Sequence, residues 1–570
     1  MRTLRTTDQR LLALCAGFLL VFGLLWMRCV WLQVVQARRL AGLIHAQHYA
    51  SQTLLAPRGT IYDRNGQVLA MSVPVPSVFA NPRRVVTKHE TAVHLAKTLG
   101  WDQRLVSQRL GRDKGFVWLA RQIEPPMKER LGPFLREGIG VREEPKRIYP
   151  NGTMAAHLLG SVDIDERGLE GLELRSNAAL QGNPGWQSTL RDAKGDLLIG
   201  PWTIDVEPQA GLDLVLTIDH VVQGVADDAL AWGVEKFHAK GGSLIVLDPR
   251  SGQILALANR PTFDPNHAGR SPADVRRNRA LTDVMEPGSI FKIVTASALL
   301  EEGLVRLDER MFCENGSYPI VGRHILHDHT AHGWLTFQDV IKHSSNIGTA
   351  KFAQRLPPET LYRYIRAFGF GHKTGVELPG EVSGIVPLPS RWSRLSPFMI
   401  PIGQEVAVTP MQLAAMIATV ANGGWKVQPY LIERIQTQDG NLIRRPPTRA
   451  RERLLSPETV KRLHTMLLDV VESGTGQLAN VQGLTVAGKT GTAQKLEPDG
   501  RYSHSRYVAS FVGYGPVPDS RFALVVTIDE PHPAYFGGVV AGPIFRRVVE
   551  QLISYWDLKP SDDSRTVAKL

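Results

Sequence analysis

Apolar residues fill positions 11–27 almost without interruption and continue past Arg28 through Val30-Trp31-Leu32 to Val35. A helix needs about 20 mainly apolar residues to cross a bilayer, and the basic flank of Arg2, Arg5 and Arg10 predicts that this end stays in the cytoplasm. A cleaved signal peptide is the rival reading. The run is long for one, and it passes through Trp31 and Gln33 into Arg38-Arg39 with no small-x-small cleavage site. It reads as a signal anchor over 11–35 behind a cytoplasmic tail at 1–10, with the remaining chain outside the cytoplasm, away from ATP and a reducing pool.

Beyond the anchor the pattern becomes mixed. Thr60-Ile61-Tyr62 and Val68-Leu69-Ala70-Met71 read as strands around the turn Asp63-Arg64-Asn65-Gly66. Helical spacing follows over 91–137, then a loop at Arg147-Ile148-Tyr149-Pro150-Asn151-Gly152 and the stretch Gly168-Leu169-Glu170-Gly171-Leu172-Glu173. None of these shows chemistry by residue type, so 45–205 reads as an α+β support region. A second domain is expected over 211–556, opening with a strand at 212–218, a helix at 220–236 and a hairpin of 243–248 with 253–258 around Pro249-Arg250-Ser251-Gly252. Residues 290–300 are apolar on nearly every side, as in a buried helix. The polar tail at 557–570 is expected to be disordered from Lys559 onward.

Length and charge narrow the class. A chain of 570 residues exceeds one ordinary core. The net charge of +11 is spread along the whole chain, with no zinc-finger, basic-zipper or RNA-binding signature, so nucleic acid is not an expected partner; a polyanionic or membrane-surface setting accounts for it equally. Cys15, Cys29 and Cys313 cannot make a disulfide framework.

The candidate chemistry begins at Glu286-Pro287-Gly288-Ser289-Ile290-Phe291-Lys292. Ser289 and Lys292 are three apart at the head of the apolar helix and share a face. A serine hydroxyl needs a base, and a lysine serves only if desolvation or nearby positive charge lowers its pKa. The spacing alone also fits a solvated Ser and Lys. Residues 336–343 read as a helix stopping at Ser344-Ser345-Asn346, which presents Ser344 and Asn346 either to a cleft or as an ordinary helix cap. Gly483 to Thr490 spells the phosphate-loop pattern G-x-x-x-x-G-K-T. Yet no apolar strand leads into Gly483, and Gly491 is a poor helix start. The preferred reading is an edge strand whose Lys489 and Thr490 point at an anionic substrate group, with Gly491 letting the substrate backbone approach and strands at 507–513 and 522–528 beside it.

Ser-x-x-Lys, Ser-x-Asn and Lys-Thr-Gly in that order resemble the signature of the penicillin-recognising serine enzymes. Arg58-Gly59-Thr60-Ile61-Tyr62-Asp63-Arg64-Asn65-Gly66, the Arg147 and Gly168 stretches, and Gly403-Gln404-Glu405 with Thr409-Pro410 look like class B penicillin-binding proteins, over nearly all the chain after the anchor. The resemblance implies an α+β fold in three parts: transmembrane helix, pedestal, and a transpeptidase domain with an antiparallel sheet flanked by helices. It implies a peptidoglycan D,D-transpeptidase in which Ser289 forms an acyl-enzyme at a D-Ala-D-Ala terminus, Lys292 takes the proton, Ser344 and Lys489 relay it, and Asn346 holds the peptide amide. Thr490, Gly491 and Thr492 would bind the substrate end, the backbone of Ser289 and Thr492 would form the oxyanion hole, and β-lactams would acylate Ser289. No Glu-x-x-Leu-Asn element is present, which argues against a β-lactamase.

The resemblance leans to the division-specific branch, with the elongation-specific branch, a D,D-carboxypeptidase side activity and a non-catalytic sensor or scaffold as alternatives. Its implied partners are peptidoglycan stem peptides, the inner membrane, a membrane glycan polymerase and other division proteins. No cofactor or metal is implied. His324, His327, His329 and His332 around Asp328 read as a polar loop near the cleft rather than a zinc site.

Overall fold

The computed structural model describes residues 2–40, 49–135, 138–191, 197–198, 204–445, 452–497 and 499–558. The predicted disordered tail from Lys559 lies outside them. The chain divides into two compact units, one of residues 1–57 with 182–210, the other of residues 58–181 with 211–570.

In the first unit, an α-helix over Arg2–Val30 runs into a π-helical turn at Trp31–Val35. The stretch Thr6–Val35 is long and apolar enough to cross a membrane, and its large side chains are exposed. The helix begins well before the apolar run, because the polar residues ahead of Leu11 continue the same backbone hydrogen bonding. Strands Tyr49–Leu54, Gly185–Arg191, Leu197–Leu198 and Ile204–Val206 form a small antiparallel sheet in this unit.

The second unit carries three cores. The smallest lies in the pedestal, where Val68–Ala80 pairs with Ile139–Ile148 and Val117–Ala120, and helices Lys88–Leu99 and Gln103–Leu110 cover Val78, Ala80, Leu95 and Leu110. Two expectations change here. The helical stretch 91–137 contains the strand Val117–Ala120, whose buried Val117 and Leu119 alternate over only four residues, too few for the period to register. Arg147 and Ile148 end a strand rather than opening a loop, because the charges of Arg142, Glu143, Glu144 and Lys146 mask a ladder paired along its whole length. Pro74 and Pro76 sit inside Val68–Ala80 two residues apart, so their missing N–H groups fall on the same side of the strand.

The larger cores lie on the two faces of a five-stranded antiparallel sheet, in the spatial order Ile254–Arg260, Gly241–Leu247, Phe522–Asp529, Tyr502–Gly515, Ala487–Leu496. Leu244, Val246, Leu524 and Val526 face helices His220–Lys236 and Gly537–Tyr555. Ile245, Leu247, Ala523 and Val525 face the opposite way, onto Pro410–Ala421 and Lys292–Glu301. With both faces covered, every residue of Gly241–Leu247 is buried, so its sequence reads as an apolar run rather than an alternation. The Lys-Thr-Gly strand is the edge strand, as its sequence predicts.

Candidate active site

Ser289 sits in a 3₁₀ turn, Gly288–Phe291, that feeds the helix Lys292–Glu301. Gly288 has φ +52°, and a Cβ there would lie 2.9 Å from the Thr492 carbonyl oxygen; its N–H donates to Gly403 O at 3.1 Å. Only glycine fits this approach, and it locks the serine turn against the edge strand. Ser289 lines a cleft of about 450 Å³ together with Ser344, Asn346, Thr490 and Thr492. Its hydroxyl has no hydrogen-bond partner among the described residues. The three distant segments therefore converge on one cleft.

Lys292 is fully buried behind that cleft. Its Nζ donates to Ser344 O at 2.6 Å and Asn346 Oδ1 at 2.8 Å, and lies 3.3 Å from Ser344 Oγ. Burial lowers its pKa to about 7, against a small opposing pull from Asp328. Lys489 is equally buried and donates to Ser344 Oγ at 2.9 Å. Burial, and then the charge of Lys292, hold its pKa well below the usual lysine range. One hydroxyl thus bridges two amines. Ser344 can do this because its backbone is left-handed, φ +61°, which turns both its carbonyl and its hydroxyl toward the lysines.

Alternation along Ala487–Leu496 puts Lys489 and Gly491 on one face, Thr490 and Thr492 on the other. Thr490 Oγ1 lies 2.8 Å from Thr475 Oγ1, and Thr492 Oγ1 accepts from Gly537 N at 3.0 Å. The position of Gly491 has a different reason from the one its sequence suggests: a Cβ there would fall 2.5 Å from Ser510 Oγ and 2.9 Å from Ile290, so glycine admits the serine turn rather than facing open cleft. Likewise Lys489 points beneath the cleft at Ser344, and it is Thr490 that lines the opening. Gly488, Lys489 and Thr490 lie within a strand rather than in a loop opening a helix, which removes the phosphate-loop reading.

Asn346 uses Oδ1 on Lys292 and one N–H on His327 O at 2.9 Å, leaving its second N–H. The helix cap in this turn is Ser345, between the two residues the sequence singles out, while Ser344 and Asn346 line the cleft. Ser345 Oγ accepts from Gly348 N at 2.9 Å and donates to Asp328 at 2.6 Å, and Asp328 Oδ1 accepts from Asn346 N and from Ile347 N at 3.0 Å.

Asp328 was visible only as the centre of a histidine group, and its role as an anchor depends on a contact 17 residues away. Other cleft residues carried no sequence signal. Thr475 is one. Another is the aromatic strip of Phe536, Tyr535 and Tyr507, which His329 of the predicted polar loop joins, with consecutive ring centroids from His329 onward 4.4, 4.4 and 4.2 Å apart. Glu286, next to the serine turn, accepts from Glu405 N at 2.9 Å and from Tyr502 OH at 3.0 Å; burial raises its pKa.

Chemically, a neutral Lys292 keeps two N–H donors for Ser344 O and Asn346 Oδ1 and leaves a lone pair for a proton from an adjacent hydroxyl. The arrangement suits nucleophilic attack by Ser289 on a carbonyl.

The chain is similar to known proteins over nearly all its length. Residues 242–550 match the description "Penicillin binding protein transpeptidase domain", and residues 53–216 match "Penicillin-binding Protein dimerisation domain". The chain is 34% identical over 561 residues to the peptidoglycan D,D-transpeptidase FtsI of Escherichia coli, covering 97% of this chain and 92% of that protein. It is 33% identical over 562 residues to stage V sporulation protein D of Bacillus subtilis, covering 97% and 87%. Penicillin binding protein 3 of Mycobacterium tuberculosis, solved with ampicillin, superposes with a TM-score of 0.70 at 29% identity over 90% of this chain and 98% of that one.

Proposed function

Because the chain belongs to the class B penicillin-binding proteins, a family of peptidoglycan D,D-transpeptidases, we propose that Ser289 is the acylated nucleophile and Lys292 its base, crosslinking the stem peptides of septal cell wall. The observation that carries this is the buried Lys292 amine, one turn from Ser289, held by Ser344 and Asn346 with its pKa lowered to about 7. Ser289 attacks the carbonyl between two terminal D-alanines. Lys292 takes the hydroxyl proton; Ser344, between the two amines, passes a proton toward the leaving D-alanine with Lys489 behind it. The remaining Asn346 N–H holds the peptide amide. Thr490 and Thr492, with Gly491 between them, receive the terminal carboxylate, and backbone N–H groups of Ser289 and Thr492 stabilise the oxyanion, contacts whose loss typically costs about 3–4 kcal/mol. An amine of a second stem peptide releases the acyl group as a crosslink; water in its place gives a D,D-carboxypeptidase side activity.

In this reading the domains are an anchor at 11–35, a pedestal at 45–205 and a transpeptidase domain at 211–556. The anchor holds the protein in the inner membrane with its N-terminus cytoplasmic and the cleft outside, beside a membrane glycan polymerase and other division proteins. A fluorescent penicillin should label the wild type and leave Ser289→Ala unlabelled; equal labelling would overturn the mechanism. A tagged copy should gather at midcell, and an even distribution along the side wall would reject the septal role.

A further inference from the structure

A cavity of about 930 Å³ lies away from the catalytic cleft and shares no lining residue with it. Its wall carries Arg250, Arg366, Lys373, Lys426, Arg434 and Arg445 against two carboxylates, Glu433 and Glu452. Glu452 is taken up by Lys426, at 3.2 Å, Glu433 lies 3.8 Å from Arg434, and Arg250 lies 3.4 Å from Asp519 outside the wall. Arg366 and Lys373 have no carboxylate partner among the described residues. Arg366 instead turns its guanidinium onto the ring of His372, 3.1 Å from Nδ1 and in contact with Nε2, in a turn pinned by Gln412 Nε2 donating to His372 O at 2.8 Å. Burial and the charges of Arg366 and Lys426 keep the His372 pKa below its ordinary value. Arg366 Nη1 also donates to Phe370 O at 3.2 Å, so its guanidinium is held by a carbonyl and an imidazole, neither of which cancels its charge.

We propose that this cavity binds a small oligoanion carrying two or more phosphate or carboxylate groups. A concave wall with an excess of positive charge, six cations against two carboxylates, concentrates the field and the counter-ion, and guanidinium forks match both anion chemistries. The cations come from separate segments, the turn after Gly241–Leu247, the end of Pro358–Ala367, the turn after Pro410–Ala421 and the strand Ile432–Gln436. Arg366 and Lys373 are two wall cations without a carboxylate partner among the described residues, and two open charges call for a ligand with at least two anionic groups. The volume is that of a small-ligand pocket rather than a polymer groove.

Titration calorimetry of the full chain in detergent with inorganic pyrophosphate should give saturable binding, weakened about tenfold or more in Arg366→Gln/Lys373→Gln. Arg112→Gln/Lys114→Gln, which removes two exposed pedestal cations, should bind as the wild type does. Competition by citrate extends the site to carboxylates, and failure to compete assigns it to phosphates. In proton NMR the midpoint of the His372 ring should rise with pyrophosphate bound. Penicillin labelling of Ser289 reports that each variant is folded. Absence of saturable binding, an unweakened double variant, a pedestal pair weakened as much, or an unmoved His372 midpoint would each overturn the proposal.

Discussion

Two buried charged clusters in this protein are each built from three distant segments, and they are assembled on opposite terms. In the pedestal, Glu173 receives Arg58 Nε at 2.7 Å on one oxygen and Arg147 Nε at 2.6 Å on the other, while Arg58 also donates to Glu166 O and Asn177 Oδ1, and Arg147 to Gly59 O. Beneath the cleft, Lys292 and Lys489 share one hydroxyl, and no carboxylate among the described residues hydrogen-bonds to either. Asp328, whose charge reaches Lys292, has its oxygens committed to Ser345, Asn346 and Ile347. Compensated burial makes a fixed scaffold. Uncompensated burial keeps the Lys292 amine close to neutrality, as the proposed role of a base requires.

The comparison is broken most sharply by exchanging the outcomes. Lys292→Met should cut the acylation rate by penicillin about 10³- to 10⁴-fold, the upper range for loss of a positioned base. Its effect on folding should be small, since the acceptors it abandons are offset by removal of a buried amine. The Lys292 pKa is lower folded than unfolded, so its contribution to stability is full above about 10.5 and is lost as pH falls toward 7. Wild type should therefore lose stability relative to Lys292→Met over that window in urea titrations. A large stability loss with intact acylation would make Lys292 a scaffold residue.

Glu173→Gln is the converse experiment. It strands two buried guanidinium groups and should cost about 3–5 kcal/mol in denaturant unfolding, while acylation by the folded fraction stays near the wild-type rate. Slow acylation with normal stability would mean the pedestal cluster serves the cleft directly.

This contrast also explains what the sequence could and could not disclose. The cleft was legible because its chemistry needs particular residue types at short spacings: Ser289 with Lys292, Ser344 with Asn346, Lys489 with Thr490. The motifs at Arg58, Arg147 and Glu173 were just as distinct as strings, but their meaning is one carboxylate pairing two guanidinium groups across up to 115 positions, which no single segment expresses. Asp328, Thr475 and the Tyr507–Tyr535 pair were hidden for the same reason. Fold elements followed suit: His220–Lys236 carries its own period and cap, whereas Ile139–Ile148 is a strand only because Val68–Ala80 lies beside it.

The lysine cluster can be sharpened by pH. With Lys292 titrating at about 7, the penicillin acylation rate should fall about tenfold per unit below that point and level off above it. A rate independent of pH between 5 and 8 would remove Lys292 as the base.

The smallest effect is expected at Asp328, the carboxylate that ties the Ser345 turn to the surroundings of Lys292. Asp328→Asn keeps an oxygen for one N–H of the Asn346–Ala353 helix but gives up the charge that favours a protonated Lys292. Loss of a charged cap should cost about 1 kcal/mol of stability. The acidic limb of the acylation profile should shift to lower pH, because the one opposing influence on the buried amine is gone. A shift to higher pH would mean that Asp328 acts on Lys292 mainly by holding Asn346 in place.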